Sequence, residues 1–194
     1  PSVGETYQGG IVAYLLAPGD IGYDSNTPHG LIVARHTIGN LGPQNFSPTG
    51  GLTWGPNTIT VGSFRNGVGA GLDNTTLMLA KIPTPSGQQY FDYGQSATGH
   101  YSAFSAQQYT SFGPGASPIS AFGDWYLPSA YELGLLHLQR ALFFTGPNVI
   151  IYYYSSNENP SNNMQVMCYR FSTALYNTYL LKSNILRVRA IRAF

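Results

Sequence analysis

The sequence predicts an α+β domain in which mixed antiparallel sheets are joined by a few short helices and long loops. Short apolar runs bounded by glycine and proline occur near both ends of the chain, which is typical of strands. A capped helix signal lies in the second half, and residues 36–72 are rich in Gly, Pro, Asn and Thr with few periodic runs. The 194 residues contain no internal repeat or linker, so we predict a single domain over 1–194.

Two apolar runs near the N-terminus predict the first hairpin of a sheet. Residues 11–16 follow Gly9 and Gly10 and end at a turn over 17–20, where Ala-Pro-Gly-Asp interrupts the run. Residues 30–35 form the second run. We expect the two runs to pair as neighbouring strands.

Three segments predict helices, and the last of them carries the clearest local signal. Ser129 and Glu132 have the S-x-x-E spacing of a capping box, in which each residue bonds to the backbone of the other. The predicted helices cover 75–80 with Asn74 as N-cap, 102–109, and 130–143, which is expected to stop before Gly146.

The C-terminal part of the sequence predicts strands. Arg187 and Arg189 alternate with Val188 and Ala190, which is the period of a strand with two unlike faces. The three consecutive tyrosines at 152–154 are expected to place alternate rings on opposite faces. The predicted strands are 149–155, 164–171, 178–181 and 186–194.

The composition excludes several classes of protein. Only 9% of the residues are charged, against about 25% in an average soluble domain. The sequence contains only two lysines, so a nucleic-acid partner is not expected. No apolar stretch approaches the length of a membrane span. The uncharged, polar and Tyr-rich composition (23 Gly, 13 Pro, 15 Tyr) is typical of extracellular adhesive modules and virion proteins, which is the localisation we expect.

Two acids and two arginines stand out in a chain with so few charges. Asp124 and Glu132 lie in one motif, and Arg189 and Arg192 lie near the C-terminus. One interpretation is a carboxylate site, and the other is a set of structural ion pairs that join the helix to the last strand. We favour the ion pairs and expect Arg189 or Arg192 to contact Asp124 or Glu132.

The residues predicted to contact a ligand are a polar loop and two aromatic side chains. The amides of the loop 157–163 suit sugar hydroxyls, and aromatic rings provide stacking surfaces. Trp54 is as well explained by burial in the core, whereas Trp125 is expected to be buried. The candidate ligand-binding residues are Trp54, Tyr153, Asn157, Glu158, Asn159, Asn162 and Asn163.

No cofactor is expected, although two oxygen-rich loops leave calcium binding as an open alternative. Glu158 with its neighbouring asparagines could supply some oxygen ligands, and Asp20, Asp24 and Asn26 form a second such loop. We expect no metal site at either place, because the calcium motifs of sugar-binding lectins are absent.

Signatures of catalysis are also absent, so a non-enzymatic protein is expected. There is no G-x-S-x-G elbow, P-loop or H-E-x-x-H motif. The histidines His29, His36, His100 and His137 lack metal-like spacing. Cys168 lies in an apolar strand, where an inert core thiol is expected.

Six motifs occur in order from residue 3 to the last residue. They are VGETYQGGIV at 3–12, HGLIV at 29–33, GAGLDNT at 69–75, DWYLPS at 124–129 with EL at 132–133, YSSNE at 154–158 and VRAIRAF at 188–194. Together and in this order, they resemble the C-terminal domain family of bacterial collagen-like adhesins of the Lcl type.

This resemblance implies a C-type-lectin-like fold with paired N- and C-terminal strands and long loops on one side. Family members are binding modules, and the adhesin type forms a trimer that binds sulfated polysaccharides. This chain departs from the family in its few, scattered basic residues, which argue against a sulfated ligand. It also has Tyr153 where the family often has Trp.

These observations predict a non-catalytic module that binds a cell-surface glycan or protein, such as the receptor-binding part of a phage fibre or of a secreted adhesin. Weak single-site contacts favour several copies, so we expect a homo-oligomer, a trimer by the resemblance. The alternative is a structural virion component, a capsid decoration or tail/baseplate protein that contacts only other proteins.

Overall fold

The computed structural model describes residues 1–35, 37–38, 52–83, 101–107, 109, 122–142, 151–171 and 175–194. Within these residues the chain has two antiparallel sheets and three short α-helices, which confirms the α+β class. In chain order the elements are β1 (Thr6–Tyr7), β2 (Gly10–Leu15), β3 (Gly30–Ala34), α1 (Ala70–Lys81), α2 (Ser102–Gln107), α3 (Ala130–Leu138), β4 (Ile151–Asn159), β5 (Asn162–Phe171), β6 (Leu175–Leu181) and β7 (Ile191–Ala193).

The predicted first hairpin is present, but the expected pairing of the first and last strands is wrong. The first sheet has the order β1-β2-β3-β7, so the terminal strands lie at opposite edges. Gln8 and Gly9 have φ angles of 41° and 86°, as in a two-residue hairpin turn, and return the chain so that β1 pairs with β2. The free edge of β3 then receives β7, with Leu31 opposite Ala193.

The second sheet has the order β4-β5-β6 and differs from prediction in the length of its first strand. β4 continues to Asn159, four residues beyond the predicted end at 155. Asn157 and Asn159 are therefore strand residues, and only Pro160 and Ser161 form the turn into β5. The last predicted strand, 186–194, is regular only in β7 and forms isolated bridges at 186–188.

The helices confirm the capping box and correct the first N-cap. Ser129 accepts a bond from the Glu132 backbone, and the Glu132 side chain accepts one from Ser129. α1 begins earlier than predicted, after Gly69 in the left-handed region (φ 82°), so Asn74 lies inside the helix. The predicted end of the third helix at 143, the strand residues 149–150, and His36 and His100 lie outside the described residues.

The core consists of two clusters of buried side chains on the two faces of the second sheet. Tyr154 and Cys168 belong to one cluster, together with Trp125, whose predicted burial is confirmed. Tyr153 and Leu133 belong to the other. Adjacent tyrosines thus lie on opposite faces as predicted, but both faces are covered. Burial raises the pKa of the Cys168 thiol, as expected for a core cysteine.

None of the described helices is both long enough and apolar enough to cross a bilayer.

Candidate functional site

A surface groove of about 600 Å³ lies where three distant segments meet. One wall is the loop 19–21, the second is the segment 65–70 at the start of α1 together with Asp73, and the third is Tyr131 in the first turn of α3. We call this the Tyr131 groove. It is the candidate site, because a concavity with apolar and polar lining is the usual form of a small-ligand site.

Two exposed apolar side chains give the groove an unusual surface. Ile21 is 85% exposed, and Tyr131 is 45% exposed. Val68 and Ala70 add further apolar lining. An aromatic ring that keeps nearly half of its surface in water provides a platform for the apolar face of a ligand.

The charged groups of the groove are engaged in hydrogen bonds. Arg65 Nη1 lies 2.5 Å from Asp73 Oδ2, in an exposed ion pair. Asp20 Oδ2 accepts from Tyr14 Oη at 2.7 Å and from the backbone N–H of Ala17 at 2.8 Å. The acceptor Asp20 holds the phenol proton of Tyr14 and, with burial, raises the pKa of Tyr14 to about 12.

Buried side chains hold the segment 65–69 in place through hydrogen bonds to its backbone carbonyls. Asn74 and Asn157 each donate from Nδ2 to the Arg65 carbonyl at 2.8 Å. Ser129 Oγ donates to the Gly67 carbonyl at 2.9 Å. The backbone N–H of Tyr131 donates to Asn66 Oδ1 at 2.8 Å, which joins the segment to α3. The wall of the groove is therefore fixed before a ligand arrives.

Glu132 joins the N-terminal ends of α1 and α3 beneath this wall. Its fully buried carboxylate accepts from Gly69 N at 2.8 Å and Gly71 N at 3.1 Å, and from Ser129 N at 2.7 Å. Tyr126 Oη donates a fourth bond at 3.2 Å. A Cβ on Gly71 would lie 2.4 Å from Glu132 Oε2, so this close approach requires glycine. Burial raises the pKa of Glu132 against the opposing effect of these bonds.

One of the predicted ion pairs is confirmed, and the other two residues have different partners. Arg192 contacts Asp124 through two bonds, at 2.6 and 2.8 Å, and so fastens β7 to the segment before α3. The prediction was wrong for Glu132, whose described partners are N–H and O–H donors. Arg189 donates to Thr37 Oγ1 and to the Arg35 carbonyl instead of to either acid, and burial lowers its pKa.

The two aromatic residues predicted to bind a ligand are buried, so this prediction was wrong. Trp54 is 0% exposed, and its Nε1 donates to the Ser155 carbonyl at 2.8 Å. Tyr153 is 1% exposed, and its hydroxyl lies 3.1 Å from Thr37 Oγ1. Neither ring offers a face to a sugar, because both side chains belong to the buried core.

Glu158 is also a core residue and neither a ligand contact nor a calcium ligand. Its carboxylate forms a fully buried ion pair with Lys182, whose Nζ also donates to the Ile59 carbonyl at 2.7 Å. The backbone N–H groups of Val61 and Gly62 donate to the two carboxylate oxygens at 3.1 and 2.6 Å. Glu158 is 2% exposed, so this side chain points into the protein.

The predicted asparagines have structural partners, and two of them are exposed. Asn157 and Asn159 are largely buried, and Asn159 bonds to Gln165 and Ser161. Asn162 and Asn163 are exposed, and Asn163 Nδ2 donates to Thr60 Oγ1 at 2.7 Å. None of the four lines the groove. The corrected role of Asn157 is to hold the groove wall.

The oxygen-rich loop at 20–26 contributes one of its three oxygen-bearing candidates to the groove. Asp20 lines the groove, whereas Asp24 Oδ1 accepts from the backbone N–H of Asn26 at 2.8 Å. Within the described part of the chain, no group of three His, Cys, Asp or Glu residues could hold a metal ion.

Sequence reasoning missed most of the groove. Ile21, Arg65, Asn66 and Tyr131 were not among the predicted ligand contacts. The available signals were the Asn-Gly-Val-Gly run at 66–69 and a tyrosine two residues after the helix cap Ser129, on the side of the helix opposite to Leu133. Both are local, and neither predicts that the two segments meet.

Comparison with known proteins adds no relative. No protein-family model matches the sequence, and no curated protein matches it. The resemblance to the collagen-like adhesin domain therefore rests on the six motifs alone.

Proposed function

We propose that the protein is a non-catalytic binding module that uses the Tyr131 groove to bind a cell-surface glycan or protein. The observation that supports this most directly is a preformed groove in which an exposed aromatic ring lies beside hydrogen-bonding side chains. Large rigid aromatic contacts combined with a few placed polar groups are the common chemistry of such sites. The proposal includes an extracellular or virion localisation, as the composition favours.

The proposed module acts in several copies. One shallow groove buries little of a ligand, so the affinity of a single groove would be low. When several copies attach at once, the overall avidity exceeds that affinity without any new kind of contact. A homo-oligomer is therefore part of the proposal, a trimer by the resemblance to the adhesin domain, and so is a C-type-lectin-like fold. Calcium is not required by the groove residues.

A whole-cell and glycan binding screen tests this function. We expect saturable binding by the full chain that is unchanged by chelation of calcium. Ile21→Lys places a long charged side chain on the groove rim and should weaken that binding about tenfold, which corresponds to about 1.4 kcal/mol. Ile21 is 85% exposed, so the substitution should leave folding intact.

The matched control is Ile185→Lys, at an apolar residue that is 59% exposed and does not line the groove. Equal loss of binding in both variants, or no binding by the wild-type chain to any glycan or cell, would refute the proposed function.

The second candidate function is a structural virion component, and one observation favours it. The outward face of α3 and the following turn carries Tyr131, Leu135, Leu138 and Leu142, and Leu138 is 69% exposed. The Glu132 and His137 side chains of α3 are buried, so they put no charge on this face. A helix that is apolar on all sides is normally covered, so this face favours contact with another protein subunit.

Light scattering on Leu138→Glu tests this second candidate. If the α3 face is a subunit interface, the wild-type chain should be oligomeric and L138E should shift it to the monomer, because a carboxylate would be buried without a partner. Ile185→Glu is the control and should leave the oligomer intact. An unchanged oligomer in L138E argues against this face as an interface.

A further inference from the structure

We infer that the ligand of the Tyr131 groove is an uncharged sugar unit, whose apolar C–H face lies on the Tyr131 ring. This inference rests on the proposed function and names its ligand class. It differs from the sulfated ligand that the family resemblance implies. It is carried by the apolar platform, by the charge balance of the groove and by the rigidity of its wall.

The platform fits one face of a pyranose ring. Tyr131 is exposed over 45% of its surface in the third wall, and Ile21 is exposed over 85% in the first. Val68 contributes apolar lining from the second wall. A sugar ring has an apolar face of C–H groups and a rim of hydroxyls, so it can cover such a surface while its hydroxyls reach polar groups.

The charges of the groove disfavour an anion. Asp20 and Asp73 carry two negative charges against the single positive charge of Arg65. Arg65 is already paired with Asp73 at 2.5 Å, so its charge is compensated before a ligand binds. A sulfate or carboxylate would meet a net negative groove, whereas neutral hydroxyls can donate to the Asp20 and Asp73 oxygens.

The polar rim is held in place, which favours recognition by hydrogen bonds. Asn66 Oδ1 is fixed by the Tyr131 N–H at 2.8 Å. Among the described residues, no partner is found for the Asn66 amide nitrogen, which leaves two donors for hydroxyl oxygens. The neighbouring Arg65 carbonyl is held by hydrogen bonds from the buried side chains of Asn157 and Asn74. Little ordering entropy is then lost when the sugar binds.

The test is a titration of the purified full chain against an array of uncharged and sulfated glycans, with heparin as the sulfated probe in solution. We expect binding to uncharged glycans that stays constant when salt is raised from about 0.1 M to about 0.5 M, because no ion pair is formed. Tyr131→Ala should weaken it about tenfold or more, and Tyr131→Phe, which keeps the ring, should retain it.

Tyr176→Ala is the matched control, because Tyr176 is 46% exposed and lies on β6 outside the groove. Thermal melting confirms that the variants are folded. Binding of uncharged glycans that survives Tyr131→Ala overturns the inference, as does binding of heparin alone with strong salt dependence. Cell binding that depends on Ile21, without binding to any uncharged glycan, overturns the inference while the proposed function stands. Absence of all glycan and cell binding overturns both.

Discussion

Replacing Lys182 with methionine is expected to lower the free energy of unfolding by about 3–5 kcal/mol. Lys182 and Glu158 are both fully buried, and methionine removes the positive charge while keeping much of the volume. The Glu158 carboxylate would then retain only the N–H groups of Val61 and Gly62 in an apolar surrounding. Domain stabilities are about 5–15 kcal/mol, so this loss is a large share of the total.

Urea denaturation followed by tryptophan fluorescence measures this effect, since the Trp54 ring centre lies 4.9 Å from Lys182 Nζ. Lys81→Met is the matched control. Lys81 is exposed and donates to the Val61 carbonyl at 2.7 Å, so its loss should be about 1 kcal/mol. The double variant Glu158→Gln with Lys182→Met removes both charges and should recover part of the loss. Equal destabilisation by K81M and K182M would contradict the prediction.

Local sequence signals predicted the helices and strands, whereas contacts between distant segments determine which partners their polar side chains bind. The capping box at Ser129 and Glu132 was predictable, because both partners lie within one helical turn. The partners of Glu132 in the first turn of α1 lie 63 and 61 residues away, so no spacing in the sequence relates them. An ion pair with arginine was the natural expectation for a buried acid. In the structure, backbone N–H groups at the N-terminal ends of α1 and α3 form the hydrogen bonds that this buried carboxylate requires.

The polar run at 157–159 shows why composition predicted a loop there. Asn and Glu are uncommon inside strands, so the strand was expected to end at Ser155. In the structure Asn157 donates to the Arg65 carbonyl, 92 residues earlier, and Glu158 pairs with buried Lys182. Asn159 bonds to Gln165 and Ser161 across the turn. Once partnered, a polar side chain no longer has to face water, and the strand continues.

The groove could not be predicted from sequence, because its three walls come from separate parts of the chain. Ile21 and Tyr131 line the same groove although no shared motif relates them in the sequence. Trp54 was the more conspicuous aromatic residue, since it lies in a Gly-rich region. Its indole N–H has a buried acceptor and its ring a neighbouring ammonium group, so it is fully satisfied in the core.

Replacing Glu132 with alanine is expected to lower the free energy of unfolding by about 3–5 kcal/mol and also to weaken binding at the groove. The change leaves the backbone N–H groups of Gly69, Gly71 and Ser129 without their buried acceptor and opens a cavity. Gly69 lines the groove, so a loosened Gly69 disturbs the wall beside Tyr131. Chemical denaturation measures the first effect, and glycan titration of the folded fraction measures the second.

Two variants separate the role of Glu132 from a general loss of charge. Glu5→Gln removes a carboxylate that is exposed and bonds to Ser2, so it should change stability by less than about 0.5 kcal/mol. Glu132→Gln keeps the volume and one acceptor oxygen. The amide nitrogen would face donors that the carboxylate now accepts from, so Glu132→Gln should also destabilise the protein, but by less than alanine because it opens no cavity. If Glu132→Ala is no worse than Glu5→Gln, the two helix ends do not depend on this carboxylate, and the groove wall must be held by Asn74, Asn157 and Ser129 alone.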